Sequence, residues 1–449
     1  MTALSAARPA QGKRTCGRFK ILIARGRFNQ HAQHDERTTP EDRIPKRLPG
    51  VLGSRRALYL KPTFATRPVG AIKPLKIFHI NMHRHWGGQP NRTLTEAREL
   101  ARRGHDVVVA GPHGSLLVAR ARAAGLRTFD DLRLQRGLRP RAFWSDWRRL
   151  RALFCRERFD IIHTHGSQDT WVCALALLGL NPRPCFIRSR HNTFPVAPHL
   201  FNKWLYARVI DHVITISPQV IPLLTEPGLC TPDKCTAIFS VPDAEVFRPA
   251  PPSDALRREL GLSPDQLVVG CVARLAPEKG HRYLIAAAPA VIAAVPNVRF
   301  LFVGKGRSQP DLEARIEQLK LRDRFVFAGF RHNVADFLNL MDVFVLCPVS
   351  GESLGTSILE AFLTERPVVA TDVGGVRESV RDGITGFLVP PAEPAPLADR
   401  LITLLRDPAL RRRFGQAGRE MVQREFTVER LGDETETVYG RVMKNRRGE

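Results

Sequence analysis

From residue 74 onward the chain repeats one pattern: a short apolar run, a stretch with apolar residues every three or four positions, then another apolar run. The runs at 75–80 (LKIFHI), 106–111 (DVVVAG), 160–165 (DIIHTH), 185–191 (CFIRSRH) and 212–217 (HVITIS) predict strands. Between them, 93–103 (TLTEARELARR) and 142–158 predict helices, with Gly104 stopping the first. Short strands that are apolar along their whole length and alternate with helices imply a parallel sheet covered on both faces.

The pattern breaks at 241–264, where Pro242, Pro249, Pro251, Pro252 and Pro264 cluster, and proline there predicts a linker. It resumes with strands at 267–273, 298–304, 325–330, 342–348, 367–372 and 386–391 and with helices at 281–294 and 311–320. The expected organisation is a basic extension over 1–73, read as disordered and dispensable, then α/β domains over 74–247 and 248–426 and a closing segment over 427–449. The expected fold class is α/β, with two doubly wound parallel-sheet domains facing across a cleft. Ligands of such sheets bind at the carboxyl ends of the strands, so the cleft is the expected site.

Composition narrows this picture. The 449 residues are 43% hydrophobic and 25% charged, which is globular and excludes wholesale disorder. The net charge is +25, spread unevenly. Residues 1–75 hold 16 Lys/Arg against 4 Asp/Glu, 76–240 hold 24 against 12, and 241–449 hold 29 against 28. The second domain is therefore almost neutral, and the excess sits on the tail and the first domain. None of the familiar nucleic-acid reader motifs accompanies it. The eight cysteines are scattered, at 16, 155, 173, 185, 230, 235, 271 and 347, with no C-x-x-C pair. That spacing predicts no zinc site and fits a reducing cytoplasm. No apolar stretch approaches the roughly 20 residues that span a bilayer; the longest, 171–180, reads as a buried helix. An Arg-rich segment at 139–158 carries Trp144 and Trp147, which suggests peripheral association with an anionic membrane surface. A core-facing helix accounts for its Leu150, Leu153 and Phe154.

Several segments carry candidate chemistry. In VARLAPEKG (272–280), Arg274 and Lys279 flank a turn between a strand and a helix, a place that suits a diphosphate. FVGKG (302–306) ends a strand with Gly304 and Gly306, where backbone N–H groups can approach phosphate; a plain tight turn explains it as well. SGESLGTSILEAF (350–362) sets Glu352 on a loop and Glu360 about one turn into a helix, so that both can face one polar ligand. The N–H groups of 354–356 would turn the positive end of that helix toward an anion. In the first domain Gly87 and Gly88 lie between a strand and a helix, and His191 ends the strand RSRHN (188–192). His163 and His165 in IIHTH are weaker candidates, with packing the default for at least one of them.

With Gly87-Gly88, Arg274/Lys279, Glu352-x7-Glu360, VVATDVGGVRE (368–378) and DGITGFLVPP (382–391) in order, residues 74–443 resemble the family 4 (group 1) retaining glycosyltransferases. RSRHN, SQDTW (167–171) and GHDVVVAGPHGS (104–115) look like the branch acting in bacterial envelope polysaccharide or lipopolysaccharide assembly. The resemblance implies the GT-B fold, with an acceptor-binding first domain, a nucleotide-sugar-binding second domain and a last helix over 427–443 crossing back to the first. It implies that Arg274 and Lys279 neutralise the leaving diphosphate and that Glu360 binds the ribose hydroxyls. Glu352, with the backbone of Leu354 and Gly355, would position the donor sugar, and His191 would contact that sugar from the acceptor side. Ser353 stands where the family commonly has Gly, and 240–243 (SVPD) replaces its usual Asn-Gly before the linker Asp. No metal or other cofactor is called for. The expected partners are a nucleotide-sugar donor and an anionic glycolipid or saccharide acceptor, without specific nucleic acid. The expected location is the cytoplasm, at the inner face of the cytoplasmic membrane. Two other functions stay open: a nucleotide-sugar epimerase or hydrolase of the same fold, and a non-catalytic sugar- or nucleic-acid-binding protein.

Overall fold

In the computed structural model, residues 73–135, 137 and 139–447 are described; the basic extension lies almost wholly outside them. The first sheet holds seven parallel strands: β1 (Lys76–Ile80), β2 (Asp106–Pro112), β3 (Arg127–Leu132), β4 (Ile161–Thr164), β5 (Cys185–Arg190), β6 (His212–Thr215) and β7 (Cys235–Ala237). Their order is β3-β2-β1-β4-β5-β6-β7. The second holds β8 (Leu267–Val272), β9 (Val298–Val303), β10 (Phe325–Gly329), β11 (Val343–Leu346), β12 (Val368–Thr371) and β13 (Gly386–Val389), ordered β10-β9-β8-β11-β12-β13.

The fully apolar runs become the central strands because helices cover both of their faces. β4, β5, β6, β11 and β12 are buried at every residue. The sequence pattern misses β3 and β7, which are the two edges of the first sheet. β3 reads RTFDDL and is half exposed, and β7 is only three residues long. An edge strand lacks a neighbour on one side, so its residues need not all be apolar.

Two helices depart from expectation. The first begins at Gly88 and runs to Arg102, five residues earlier than apolar spacing predicts. Pro90 is tolerated there because first-turn N–H groups have no intrahelical acceptor. A helix, Asp254–Glu259, also stands inside the proline-rich linker, its start capped by Ser253 Oγ, which accepts from Leu256 N at 3.3 Å. The segment expected to contact a membrane forms the helix Pro140–Arg156. Leu150, Leu153 and Phe154 are buried in the first domain's core, and Trp147 packs on its margin. Trp144, stacked on Trp147 at 4.5 Å between ring centroids, stays 52% exposed.

The last helix, Val428–Arg447, returns to the first sheet. Arg103 binds Asp433 at 2.6 Å and Glu436 at 2.8 Å, and Thr435 Oγ1 donates to Glu96 Oε1 at 2.9 Å. Leu431, Val438 and the fully buried Tyr439 join one apolar cluster that runs from Ile77 and Leu100 to Phe344 and Phe362. That helix therefore ties the two sheets into one core.

Candidate functional site

In each sheet the strand order reverses at one point, between β1 and β4 in the first and between β8 and β11 in the second. Loops diverge there and leave a crevice. Gly87 and Gly88 follow β1, Arg274 follows β8, and 347–355 follows β11. Sequence spacing alone could not show that these segments share the two switch points. Two hydrogen bonds cross between the sheets beside them: Thr193 Oγ1 donates to Gly351 O at 3.0 Å, and Gln219 Nε2 donates to Gly374 O at 2.5 Å.

On the second-domain side, Lys279 Nζ lies 2.5 Å from Glu352 Oε2, both half-buried. The cation and the first glutamate of the pair thus form one unit. Arg274 is exposed and pairs with Glu278 at 3.1 Å. Glu360 sits in the helix Thr356–Leu363, whose N-cap is Gly355 in the left-handed region. Among the described residues its carboxylate makes no hydrogen bond or ion pair, and burial pushes its pKa up to about 8. Glu360 is half-buried rather than sealed from water, so its unpaired carboxylate is open to a polar ligand. Leu354 is buried and its carbonyl accepts from Ser379 Oγ, while Ser353 is half-buried.

The glycines behave differently from a simple phosphate cradle. A Cβ on Gly304 would stand 2.0 Å from Ala273 O, and one on Gly306 would stand 2.0 Å from Leu275 O. Their absent side chains let the loop carrying Arg274 lie flat against 303–308, where Leu275 N donates to Lys305 O and Ser308 N to Leu275 O. The N–H of Gly304 is already spent on Gly329 O at 2.8 Å. Gly87 and Gly88 are exposed and unobstructed at the start of a fifteen-residue helix. Gln89 Nε2 holds that turn to the His165 carbonyl at 2.7 Å.

His191 does not stand alone. Its Nε2 is 3.1 Å from His165 Nδ1, and His165 Nε2 is 3.0 Å from His79 Nδ1. His163 lies between Tyr439 Oη (2.7 Å) and Ser189 Oγ (2.9 Å). Burial drives all four imidazoles toward the neutral form, His79 down to about 3 and the others well below the usual value. A neutral imidazole has one donor and one acceptor, so His79, His165 and His191 form a directional chain ending at the cleft. His165 is thus a polar partner of the candidate residue, and His163 stacks on His165 at 4.5 Å between ring centroids. His79 Nε2 and Glu96 Oε2 are buried without partners, and His79, Glu96, His163 and His165 offer ligand-capable atoms within 4.8 Å of one another. Both nitrogens of His163 and of His165 are already hydrogen bonded, and Arg92 adds positive charge beside them. Polar residues interrupting apolar strands at 79, 163, 165 and 191 were the available signal. Recognising a cluster needed the β1-β4-β5 adjacency.

A cavity of about 810 Å³ lies elsewhere, between the helix Gly88–Arg102, the linker at 242–245 and residues 422–429. None of the candidate residues lines it.

The chain matches the model of the glycosyl transferases group 1 over residues 252–421 and that of glycosyltransferase family 4 over residues 86–239. It is 36% identical to an alpha-D-kanosaminyltransferase of Streptomyces kanamyceticus over 41% of this chain and 48% of the relative. It is 32% identical to a putative glycosyltransferase, EpsD, of Bacillus subtilis (strain 168) over 54% of this chain and 63% of the relative. The match therefore spans roughly half to three fifths of these curated relatives. A glycosyltransferase structure from Rickettsia africae superposes with a TM-score of 0.73 at 19% identity, over 83% of this chain and all of the other. The Anabaena protein HepE in complex with UDP and glucose gives 0.69 at 22% identity, over 82% and 99%. The two facing parallel sheets are thus the GT-B fold. The chain belongs to the group 1, family 4 glycosyltransferases.

Proposed function

We propose that the protein transfers a sugar, with retention, from a nucleotide-sugar donor to a glycolipid or polysaccharide acceptor of the cell envelope. The observation that carries this reading is Glu360, an unpartnered carboxylate on the helix that follows the loop in which Glu352 pairs with Lys279, at the second domain's switch point. In this reading Glu360 accepts hydrogen bonds from the ribose hydroxyls of the nucleotide. Lys279 and Arg274, rather than a metal ion, take up the charge that grows on the departing diphosphate. Preorganised charge of this kind is usually the largest stabilising term in such a step. Glu352, Ser353 and the backbone of Leu354 and Gly355 hold the sugar, and His191 touches it from the first domain.

The bond from the anomeric carbon to the diphosphate oxygen breaks as the bond to the acceptor oxygen forms on the same face. The acceptor's proton passes to the leaving phosphate oxygen, so no enzymic nucleophile is needed. Two curated relatives support the envelope assignment by their names. One is an Escherichia coli galactosyltransferase acting on GlcNAc-diphosphoundecaprenol, 29% identical, and the other is a Corynebacterium glutamicum phosphatidylinositol monomannoside mannosyltransferase, 34% identical. The proposed place of action is the membrane surface; no helix among the described residues is long and apolar enough to cross one.

The test is a panel of nucleotide sugars against the purified chain. The true donor raises the thermal midpoint in a concentration-dependent way and is turned over with retained anomeric configuration. Lys279→Ala lowers turnover at least tenfold while the protein stays folded. Wild-type turnover in that variant would overturn the site, and release of sugar that no acceptor can capture would make the protein a hydrolase.

A further inference from the structure

Successive residues of a strand face opposite sides of the sheet. On β5, Ser189 and the following His191 face the histidine cluster, so Arg188 and Arg190 face the other way. There they line a cavity of about 450 Å³ together with Trp171, Val196, Phe201 and Tyr206. Both arginines are buried, at 4% and 5% exposure. Arg188 Nη1 donates to Gly166 O and to Thr170 Oγ1, and Arg190 Nη2 donates to Phe194 O. The Nε of each is buried with no acceptor.

No carboxylate forms an ion pair with either arginine among the described residues. Asp169 feels Arg188, but its oxygens are occupied by the N–H groups of His165, Gly166 and Thr170. Two adjacent guanidiniums held out of water with unused donors are expensive unless an anion joins them. Their forked donors match a phosphate or carboxylate. The lining thus sets two guanidiniums among apolar and aromatic side chains. Phe201 is 72% exposed, as are Leu200 beside it in the chain (83%) and Phe194, whose carbonyl takes the Arg190 hydrogen bond (68%). The neighbouring Thr193 reaches the Gly351 carbonyl, so this cavity adjoins the cleft.

We propose that this cavity binds the phosphate of an anionic amphiphile, a phosphate ester on an apolar tail. Arg188 and Arg190 hold the phosphate, and the tail lies over Phe194, Leu200 and Phe201. That the amphiphile is the sugar acceptor rests on the transferase function proposed above; its binding does not.

The experiment titrates the full chain with n-octyl phosphate, inorganic phosphate and neutral octyl glucoside by calorimetry. Octyl phosphate is expected to bind at least tenfold tighter than either of the others. Arg190→Gln and Arg188→Gln should each weaken it at least tenfold while leaving the affinity for the nucleotide sugar unchanged. Phe201→Ala, at an exposed position that folding does not depend on, should weaken octyl phosphate several-fold and leave inorganic phosphate unaffected. Equal binding of octyl phosphate and octyl glucoside overturns the proposal, as does octyl phosphate affinity that survives both arginine substitutions. Inorganic phosphate binding as tightly as octyl phosphate removes the tail and leaves a simple anion site. Octyl phosphate binding without any nucleotide-sugar turnover would sink the transferase and spare this site. Transfer to a phosphate-bearing lipid at full rate in Arg190→Gln would spare the transferase and show that its acceptor does not use this cavity.

Discussion

Glu360 concentrates the chemistry of the second domain in one side chain. Its pKa in the folded protein, about 8, lies above the ordinary 4.5. Stability is therefore lost as pH rises from about 4.5 through 8, because the folded state resists ionisation there and the unfolded chain does not. Glu360→Gln removes that penalty. At pH 9 the ligand-free variant should melt ~2 °C above the parent, as a modest gain in free energy does for a protein of this size. The same variant should lose at least tenfold in transfer. A variant less stable than its parent at pH 9 would mean that the carboxylate already has a partner in the folded protein. The residue itself was legible in the sequence from its spacing to Glu352. Its isolation was not, since Lys279 could as well have paired with Glu360; only the folded geometry assigns that cation to Glu352.

At the scale of elements, the site depends on loops pressed together at backbone distance. Gly374 follows β12 with φ +61°, and a Cβ there would stand 1.9 Å from Glu352 O. Gly375 meets Ser353 O in the same way. The loop that carries Glu352 is thus seated on a diglycine. Gly374→Ala combines an unfavourable backbone conformation, on the order of 1 kcal/mol, with a clash that the loop must move to relieve. Nucleotide-sugar affinity measured by calorimetry should fall at least fivefold. Gly383→Ala is the control: its φ is +71° but nothing lies within 4 Å, so it should cost stability alone. Equal affinity losses in the two variants would show that the contact with Glu352 is irrelevant. The sequence pattern contained this diglycine within VVATDVGGVRE, yet its purpose depends on a neighbour some twenty residues away. Strand assignment succeeded for the buried strands and for the apolar edge strands β10 and β13, and failed at β3, which carries charged residues, and at β7, which is three residues long.

Over the whole molecule, the buried imidazoles make folding pH-dependent. His79 titrates near 3 and His212 and His281 near 4, with His163, His165 and His191 also depressed, all by burial first. Groups whose basicity falls on folding contribute stability fully above their unfolded value of about 6.5, and lose it as pH drops toward 3–4. Burial raises Asp169 to about 6 and Glu378 to about 7, as it does Glu360, and these carboxyls oppose the loss until unfolded carboxylates also protonate near pH 4. The thermal midpoint should therefore fall gently from pH 6.5 to about 5 and steeply below it. A midpoint constant from pH 6.5 to 4 would mean that the cluster accepts protons without unfolding.

The sequence by itself determined the buried strands, most of the helices between them and the succession of two α/β domains. It also set out the order of the motif residues, because apolar periodicity, proline and glycine act over a few residues. Only the tertiary structure decided which strands are neighbours. It therefore also decided that His79, His163, His165 and His191 form one cluster, that Lys279 answers to Glu352, and that Arg188 and Arg190 line one cavity. Those pairings span up to 112 residues of chain and arise from strand order and packing between sheets, which no local pattern encodes.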